Sequence, residues 1–260
     1  MELEEELRRK IAQIQPLDER AMALAKKRWD SIAHPLHSLG LLEDAIVTIA
    51  GAQGSHQVEL NKRCVTPFCA DNGVVAQGVT QSGQDVTTIV TKNFCIGEAS
   101  VCVMARVAGA DVIPVDIGVA QDVTEPGLRV HKIAYGTADI TQGPAMTREQ
   151  AADAILYGMN LVKELKEEGY RLIATGEMGI GNTTTSSALL SVLLHRPVEE
   201  MTGRGAGLSS EGLKRKIDAI HRAIEVNQPD PDDPLDTLHK VGGLDIAGLV
   251  GVFLGGAHYH

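Results

Sequence analysis

Three short segments concentrate the residues able to do chemistry. The densest is Gly176-Glu177-Met178-Gly179-Ile180-Gly181-Asn182-Thr183-Thr184-Thr185. Its glycines let a backbone approach a ligand closely, and its hydroxyls fall where a helix begins. Helix amides with threonine hydroxyls make an anion site, most simply for a phosphate. Glu177 needs a different explanation, because a carboxylate repels a phosphate. It is better used on ribose hydroxyls or on positive charge. The segment lacks the Gly-Lys-Ser/Thr ending of an ATPase loop and the GxGxxG spacing of a dinucleotide fold, so neither activity is expected. A glycine turn with Asn182 or Thr183 as a plain helix N-cap explains the same composition without a ligand.

The second segment, Gly203-Arg204-Gly205-Ala206-Gly207, leads through Ser209-Ser210-Glu211 into a helix that carries Lys216. Lys216 either reaches an anion or stays solvated; spacing alone does not decide. The third, Asp71–Gln84, opens with Asp71-Asn72-Gly73, which turn chemistry explains fully; with Ser82 and Gln84 it is a candidate lid or wall for a base. The histidines are dispersed. His258 and His260 have no third ligand nearby, so no metal site is expected. No serine or cysteine nucleophile stands in a nucleophile-elbow context.

These segments need strand ends to carry them. Arg63–Cys69 is a β-branched, apolar run that stops at a turn, Val86–Ala108 is a helix interrupted at Gly97, and Ala110–Ile117 is a second buried-type strand. Strand, helix, strand over such a distance is a βαβ unit with a parallel sheet. Arg148–Glu168 is a long helix whose Thr147 and Gln150 form a capping-box pattern. The strand Tyr170–Thr175 and the helix Asn182–Leu194 follow. After an amphipathic helix over Glu211–Val226 and a short one over Leu235–Lys240, the Gly/Ala/Val-rich stretch Gly242–Gly256 reads as a tightly packed helix. The first residues are helical instead, over Leu17–Ala33 and Leu39–Ala50. The expected architecture is α/β: a doubly wound, mainly parallel sheet with helices on both faces. Residues 1–60 form an N-terminal helical extension and 61–260 a Rossmann-like domain. In such sheets ligands sit beyond the carboxyl ends of the strands, where all three segments fall.

Composition agrees. Only one Trp, four Tyr and three Phe are present beside 27 glycines in 260 residues, so the core is built of aliphatic side chains, as parallel α/β sheets are. A net charge of −10 argues against nucleic acid as partner. There is no apolar run long enough to span a membrane and no secretory leader at the N-terminus. Four cysteines without CxxC spacing read as reduced thiols of a cytoplasmic protein.

Taken together, the segments resemble the nicotinate-nucleotide:dimethylbenzimidazole phosphoribosyltransferase family. Cys69-Ala70-Asp71-Asn72-Gly73-Val74 is similar to its CADHGV-type segment, with Asn72 where many members carry His. Gly109-Ala110-Asp111 and Val115-Asp116-Ile117-Gly118 resemble its AGA…VDVG strand, and Gly143-Pro144-Ala145-Met146-Thr147 its GPAM(S/T) helix start. Gly176–Thr184 resembles its GE(M/L)G(I/M)xNTT signature. Asn227-Gln228-Pro229 and Val241–Ala257 match as well, so the resemblance runs from about Leu17 to the last residue.

The resemblance implies a glycosyltransferase of cobalamin biosynthesis. It would move the phosphoribosyl group of nicotinate mononucleotide to a benzimidazole-type base, giving α-ribazole 5′-phosphate without cofactor or metal, as a homodimer. Gly176, Gly179, Ile180, Gly181, Asn182, Thr183, Gly203, Gly205 and Lys216 would hold phosphate and ribose, and Glu177 would face the reacting carbon. Ser82, Asp71 and Val90 would border the base, Val90 standing where the family has glutamine, which opens the acceptor to a phenol or purine. His34-Pro35-Leu36-His37-Ser38-Leu39-Gly40 departs from the family's Lys-Pro-x-Gly-Ser-Leu-Gly. The family also continues past Gly255-Gly256-Ala257 to an Arg-Leu-Gly-Glu-Gly motif whose Glu is its proton acceptor. The expectation is therefore a truncated chain whose last helix leaves an apolar face uncovered. Beside the enzyme stands a second reading, an inactive nicotinate mononucleotide-binding homologue or partner subunit; a generic sugar-phosphate enzyme is a more remote third.

Overall fold

The computed structural model describes residues 2–260. Three helices come first: α1 (Glu2–Ala12), α2 (Glu19–Asp30) and α3 (Leu41–Gln53). α2 begins where the Asp18 carboxylate accepts the Ala21 amide at 2.9 Å, satisfying an otherwise orphaned donor. α2 packs on α3, as a helical extension should. α1 was not legible as a helix, and it docks elsewhere, against the sheet domain, where Arg148 grips Glu4 at 2.9 Å.

The sheet domain opens with β1 (Arg63–Ala70), a 3-10 turn over Gly73–Gln77, α4 (Asp85–Ile96) and α5 (Ser100–Ala108). Gly97, at φ +79°, caps α4 and causes the interruption expected between the two helices. Next come β2 (Asp111–Val112), β3 (Val115–Gly118), β4 (Arg129–Val130), α6 (Arg148–Glu167) and β5 (Leu172–Met178). The chain closes with α7 (Asn182–Leu193), α8 (Val198–Met201), α9 (Ser210–Asn227), α10 (Pro234–Val241) and α11 (Leu244–Tyr259). The capping box at Thr147 and Gln150 is formed in full.

Every strand pairing among the described residues is parallel. β5 lies on one side of β1, β2 and β3 lie on the other, and β4 flanks β3. The single strand expected over 110–117 is split in two around Pro114, while the Ile113 amide still reaches the Val65 carbonyl at 2.8 Å and the Pro114 carbonyl accepts the Arg129 amide at 2.9 Å. Alternation along β1 divides the faces. Phe68 is fully buried in the larger core with α6 and α11, worth roughly 1.5–3 kcal/mol by burial alone. Cys69 points the other way, toward Phe94 of α4 and Cys102 of α5. The sheet is thus doubly wound with helices on both faces.

The last helix packs tightly, as its small residues imply. A Cβ at Gly251 would stand 2.1 Å from the Ile155 carbonyl oxygen, and one at Gly158 2.2 Å from that of Gly248, so α6 and α11 touch backbone to backbone. Farther along α11 the expected apolar exposure is present. Phe253 is 67 % exposed beside the edge strand β5, above a groove of about 640 Å³. All four cysteines are unpaired. Among the described residues, no helix is long and apolar enough to cross a membrane.

Candidate active site

Parallel pairing puts the carboxyl ends of β1, β3 and β5 at one end of the sheet. β5 ends at Met178, and the turn Gly179–Gly181 delivers the chain into α7. Gly181 is the N-cap of α7 at φ +95°, a conformation that glycine adopts without strain. It offers no side-chain cap, so neither Asn182 nor Thr183 closes the helix end, contrary to the plain-turn explanation. The first turn of α7 borders a cavity of about 70 Å³. Its Asn182 amide donates to the Gly179 carbonyl at 3.1 Å and its Thr184 amide to that of Gly181 at 2.9 Å, so the helix dipole acts there more than free N–H groups do. Gly179, Ile180, Gly181, Asn182 and Thr183 line one wall of the cavity and Arg204 and Gly205 another, with Val79–Gln81 across from them.

Lys216 stands behind this cavity, against its lining residue Thr183. It sits in α9, is 1 % exposed, and its ammonium donates to Thr183 Oγ1 at 2.7 Å and to the Gly203 carbonyl at 3.3 Å. Burial pulls its pKa down. This decides between the two readings of Lys216: it is no solvated surface lysine. Gly205 is needed in place, since a Cβ there would come within 2.9 Å of Thr183 Oγ1 and 3.5 Å of Lys216 Nζ. A helix N-terminus, a hydroxyl and a buried cation together make an anion-receptive cradle.

Glu177 stands beside it near the end of β5. The Asn182 side-chain amide donates to its carboxylate. The side chain reaches solvent, yet enough protein packs round the carboxyl to push its pKa up. Gly176 lies one residue earlier, paired with Pro67 inside the sheet. The Ile180 amide is tied to Thr87 Oγ1 at 3.1 Å, so α4 fixes the height of the turn.

The three residues expected near a base are spread along the α4 side. Ser82 is half-buried in the loop before α4, and Val90 is half-buried on α4 against the Cys69–Phe94 cluster. Asp71 is wholly enclosed and accepts the Ala120 amide at 2.8 Å, bracing the wall from inside. Burial is the main cause that raises its pKa. Sequence reasoning gave no role to Thr87 or Asp245, and left Arg204 unassigned within its glycine-rich segment. Asp245, in the first turn of α11, is fully buried against the same strand ends. Thr87 and Asp245 meet the site from elements distant in sequence, so their roles are not readable locally. Two larger cavities lie elsewhere, one along α2 and α3 and the other at the β5 edge, and neither touches the strand-end residues. Among the described residues no cluster of His, Cys, Asp and Glu suited to a metal exists.

Fold and site define a doubly wound α/β protein with an anion cradle and a carboxylate side by side at its strand ends. The family model described as phosphoribosyltransferase matches residues 14–260. The nicotinate-nucleotide–dimethylbenzimidazole phosphoribosyltransferase of Acetivibrio thermocellus is 49% identical over 236 residues, covering 91% of this chain and 67% of the relative. That of Chloroflexus aurantiacus is 48% identical over 248 residues, 95% of this chain and 71% of the relative. The crystal structure of CobT from Thermus thermophilus superposes with a TM-score of 0.85 at 39% identity, over 91% of this chain and 71% of that one. The chain belongs to this phosphoribosyltransferase family.

Proposed function

We propose that this chain transfers the phosphoribosyl group of nicotinate mononucleotide to a ring nitrogen of 5,6-dimethylbenzimidazole or a related base. The products are nicotinate and α-ribazole 5′-phosphate, which serves the nucleotide loop of a cobamide. The observation that carries the reading is the junction of the cradle and Glu177: a small cavity whose lining residue Thr183 is backed by buried Lys216 and whose lining residue Asn182 donates to the Glu177 carboxylate. The phosphate sits on the Gly179–Thr183 turn, with Gly203, Gly205 and Lys216 below it, and the ribose reaches toward Glu177.

The chemistry follows from that placement. Breaking the bond from C1′ to the pyridinium nitrogen returns its electron pair to the ring, so nicotinate leaves neutral at nitrogen and needs no general acid. Positive charge spreads over C1′ and the ring oxygen as the bond lengthens, and a fixed carboxylate beside it lowers the barrier. The incoming benzimidazole attacks C1′ through its lone pair and must lose the proton on its other nitrogen. A carboxylate with a raised pKa is suited to receive that proton, and Glu177 is one. Ser82 and Val90 border the slot for the flat base, and Asp71 stiffens its wall. The reading includes a cytoplasmic homodimer that binds no nucleic acid. Val103, Met104 and Val107, exposed on α5, and the net charge of −10 support it; a solution mass of twice 27.7 kDa is expected.

The test is nicotinate release from nicotinate mononucleotide in the presence of 5,6-dimethylbenzimidazole, followed by chromatography. Nicotinate and ribazole phosphate should form in equal amounts. Glu177→Gln should lower the rate by about 10²–10³-fold, as loss of a charge-stabilising group does. Wild-type turnover in that variant would remove Glu177 from the role, and failure of the unmodified chain to bind the mononucleotide would sink the reading.

A further inference from the structure

Behind Glu177 lies a pocket of buried acceptors. Asp245 is completely buried, and among the described residues neither of its carboxylate oxygens has a hydrogen-bond partner. Asn72 Oδ1 and Asp71 Oδ1 are buried and equally unpartnered. Asp245 and Asn72 are close together: a Cβ placed on Gly243 would be 2.4 Å from Asp245 Oδ1 and 2.8 Å from Asn72 Oδ1. They also lie against the phosphate turn, since a Cβ on Gly179 would be 3.1 Å from both Asp245 Oδ2 and Asn72 Nδ2. Buried acceptors left unpaired are costly, so something must supply a hydrogen or a positive charge. Among the described residues, those needed to ligate a metal do not converge there. A proton on the carboxyl itself would let Asp245 donate to the Asn72 Oδ1 beside it.

We propose that Asp245 is a positioning residue of the transfer site that stays protonated, donating its O–H toward Asn72 so that it adds no second negative charge beside Glu177. This rests on the phosphoribosyl-transfer reading above. Two carboxylates side by side in a dry site cannot both ionise cheaply. Burial first, and the charge of Glu177 second, push Asp245 up to about 7, against a smaller opposite pull from the backbone amides of Ile246 and Asp245. The groups that face it are Glu177 on β5 and Asp71 and Cys69 on β1, with Asp116 of β3 beyond, already paired to Lys132 at 2.8 Å. α1 and α6, which also pack on α11, spend charges on their own pairs, Arg148 with Glu4 and His131 with Asp153. An ionised Asp245 would set a second charge under Gly179, repelling the phosphate and driving a proton onto Glu177.

The test is the pH dependence of nicotinate release for wild type and for Asp245→Asn, which keeps the shape and cannot ionise. The wild-type rate should fall as pH rises above about 7, by roughly tenfold per unit. Asp245→Asn should match wild type below that point and lack the alkaline limb. Superimposable profiles would overturn the inference while leaving the transfer reading intact. Absence of nicotinate mononucleotide binding by wild type would strike the transfer reading instead. Infrared spectroscopy of the unmodified chain supplies an independent readout if the variant does not fold or wild type does not turn over. A protonated-carboxyl band should be present near neutrality, titrate away on the alkaline side, and titrate earlier in Glu177→Gln. No such band, or one indifferent to Glu177, would also overturn the proposal.

Discussion

Replacing Lys216 by methionine separates the cradle's ligand role from its structural role. The ammonium is buried with a hydroxyl and a carbonyl as partners and, among the described residues, no hydrogen-bonded or salt-bridged carboxylate. A buried cation without an anion costs stability, and exchange for an apolar side chain of similar length is about neutral or mildly stabilising. The anion, by contrast, loses a hydrogen bond to a charged donor, worth about 1.5–3 kcal/mol. At about 1.4 kcal/mol per factor of ten, nicotinate mononucleotide should bind roughly tenfold to 150-fold more weakly. Calorimetric titration with the mononucleotide gives that ratio, and thermal unfolding without ligand should show a Tm no lower than wild type. Nicotinate riboside, which has no phosphate, should bind both proteins alike. Unchanged mononucleotide affinity would refute the reasoning, and so would a parallel loss of riboside binding.

Three further outcomes follow from the geometry. Gly179→Ala forces a Cβ to 2.3 Å from the Ala70 carbonyl oxygen; the shift should cost about 1–3 kcal/mol in denaturant unfolding and lower turnover by about a hundredfold through misplacement of the phosphate. Gly181→Ala places a side chain at φ +95° and 2.9 Å from Val75 Cγ2, and should lower the Tm by several degrees, with weaker mononucleotide binding. Asp245 has a folded-state pKa of about 7, above its ordinary 3.8. The folded state therefore keeps a proton that the unfolded state gives up, and stability is lost as pH rises from about 4 to 7. Asp245→Asn should match wild type in urea unfolding near pH 4 and exceed it by up to about 4 kcal/mol near pH 8; equal stability at both would contradict the assignment.

Much of this was legible in the sequence because the relevant signals are local. The turn from β5 into α7 announces itself by Gly179, Gly181 and the threonines, and the capping box at Thr147 fixes the start of α6. The glycines of α11 mark a helix that must lie backbone to backbone on another. What the sequence hid is contact between distant elements. α1 buries only Leu7 among its described residues and gains its place by docking on α6. β3 reads as continuous with β2 because both continue the same apolar run and both pair with β1. Lys216 could be read as solvated until α9 was seen to turn it inward beneath Thr183. Asp245 reads as an ordinary first-turn acid; only the packing of α11 against the ends of β1 and β5 buries it beside Asn72 and Glu177.

The account turns on the phosphate of nicotinate mononucleotide occupying the Gly179–Thr183 turn. Titrating the chain with nicotinate mononucleotide and, separately, with nicotinate riboside tests this most directly. The account predicts saturable binding of the mononucleotide, at least about tenfold tighter than the riboside, with inorganic phosphate competing. Equal affinity for the two, or no competition by phosphate, would contradict it.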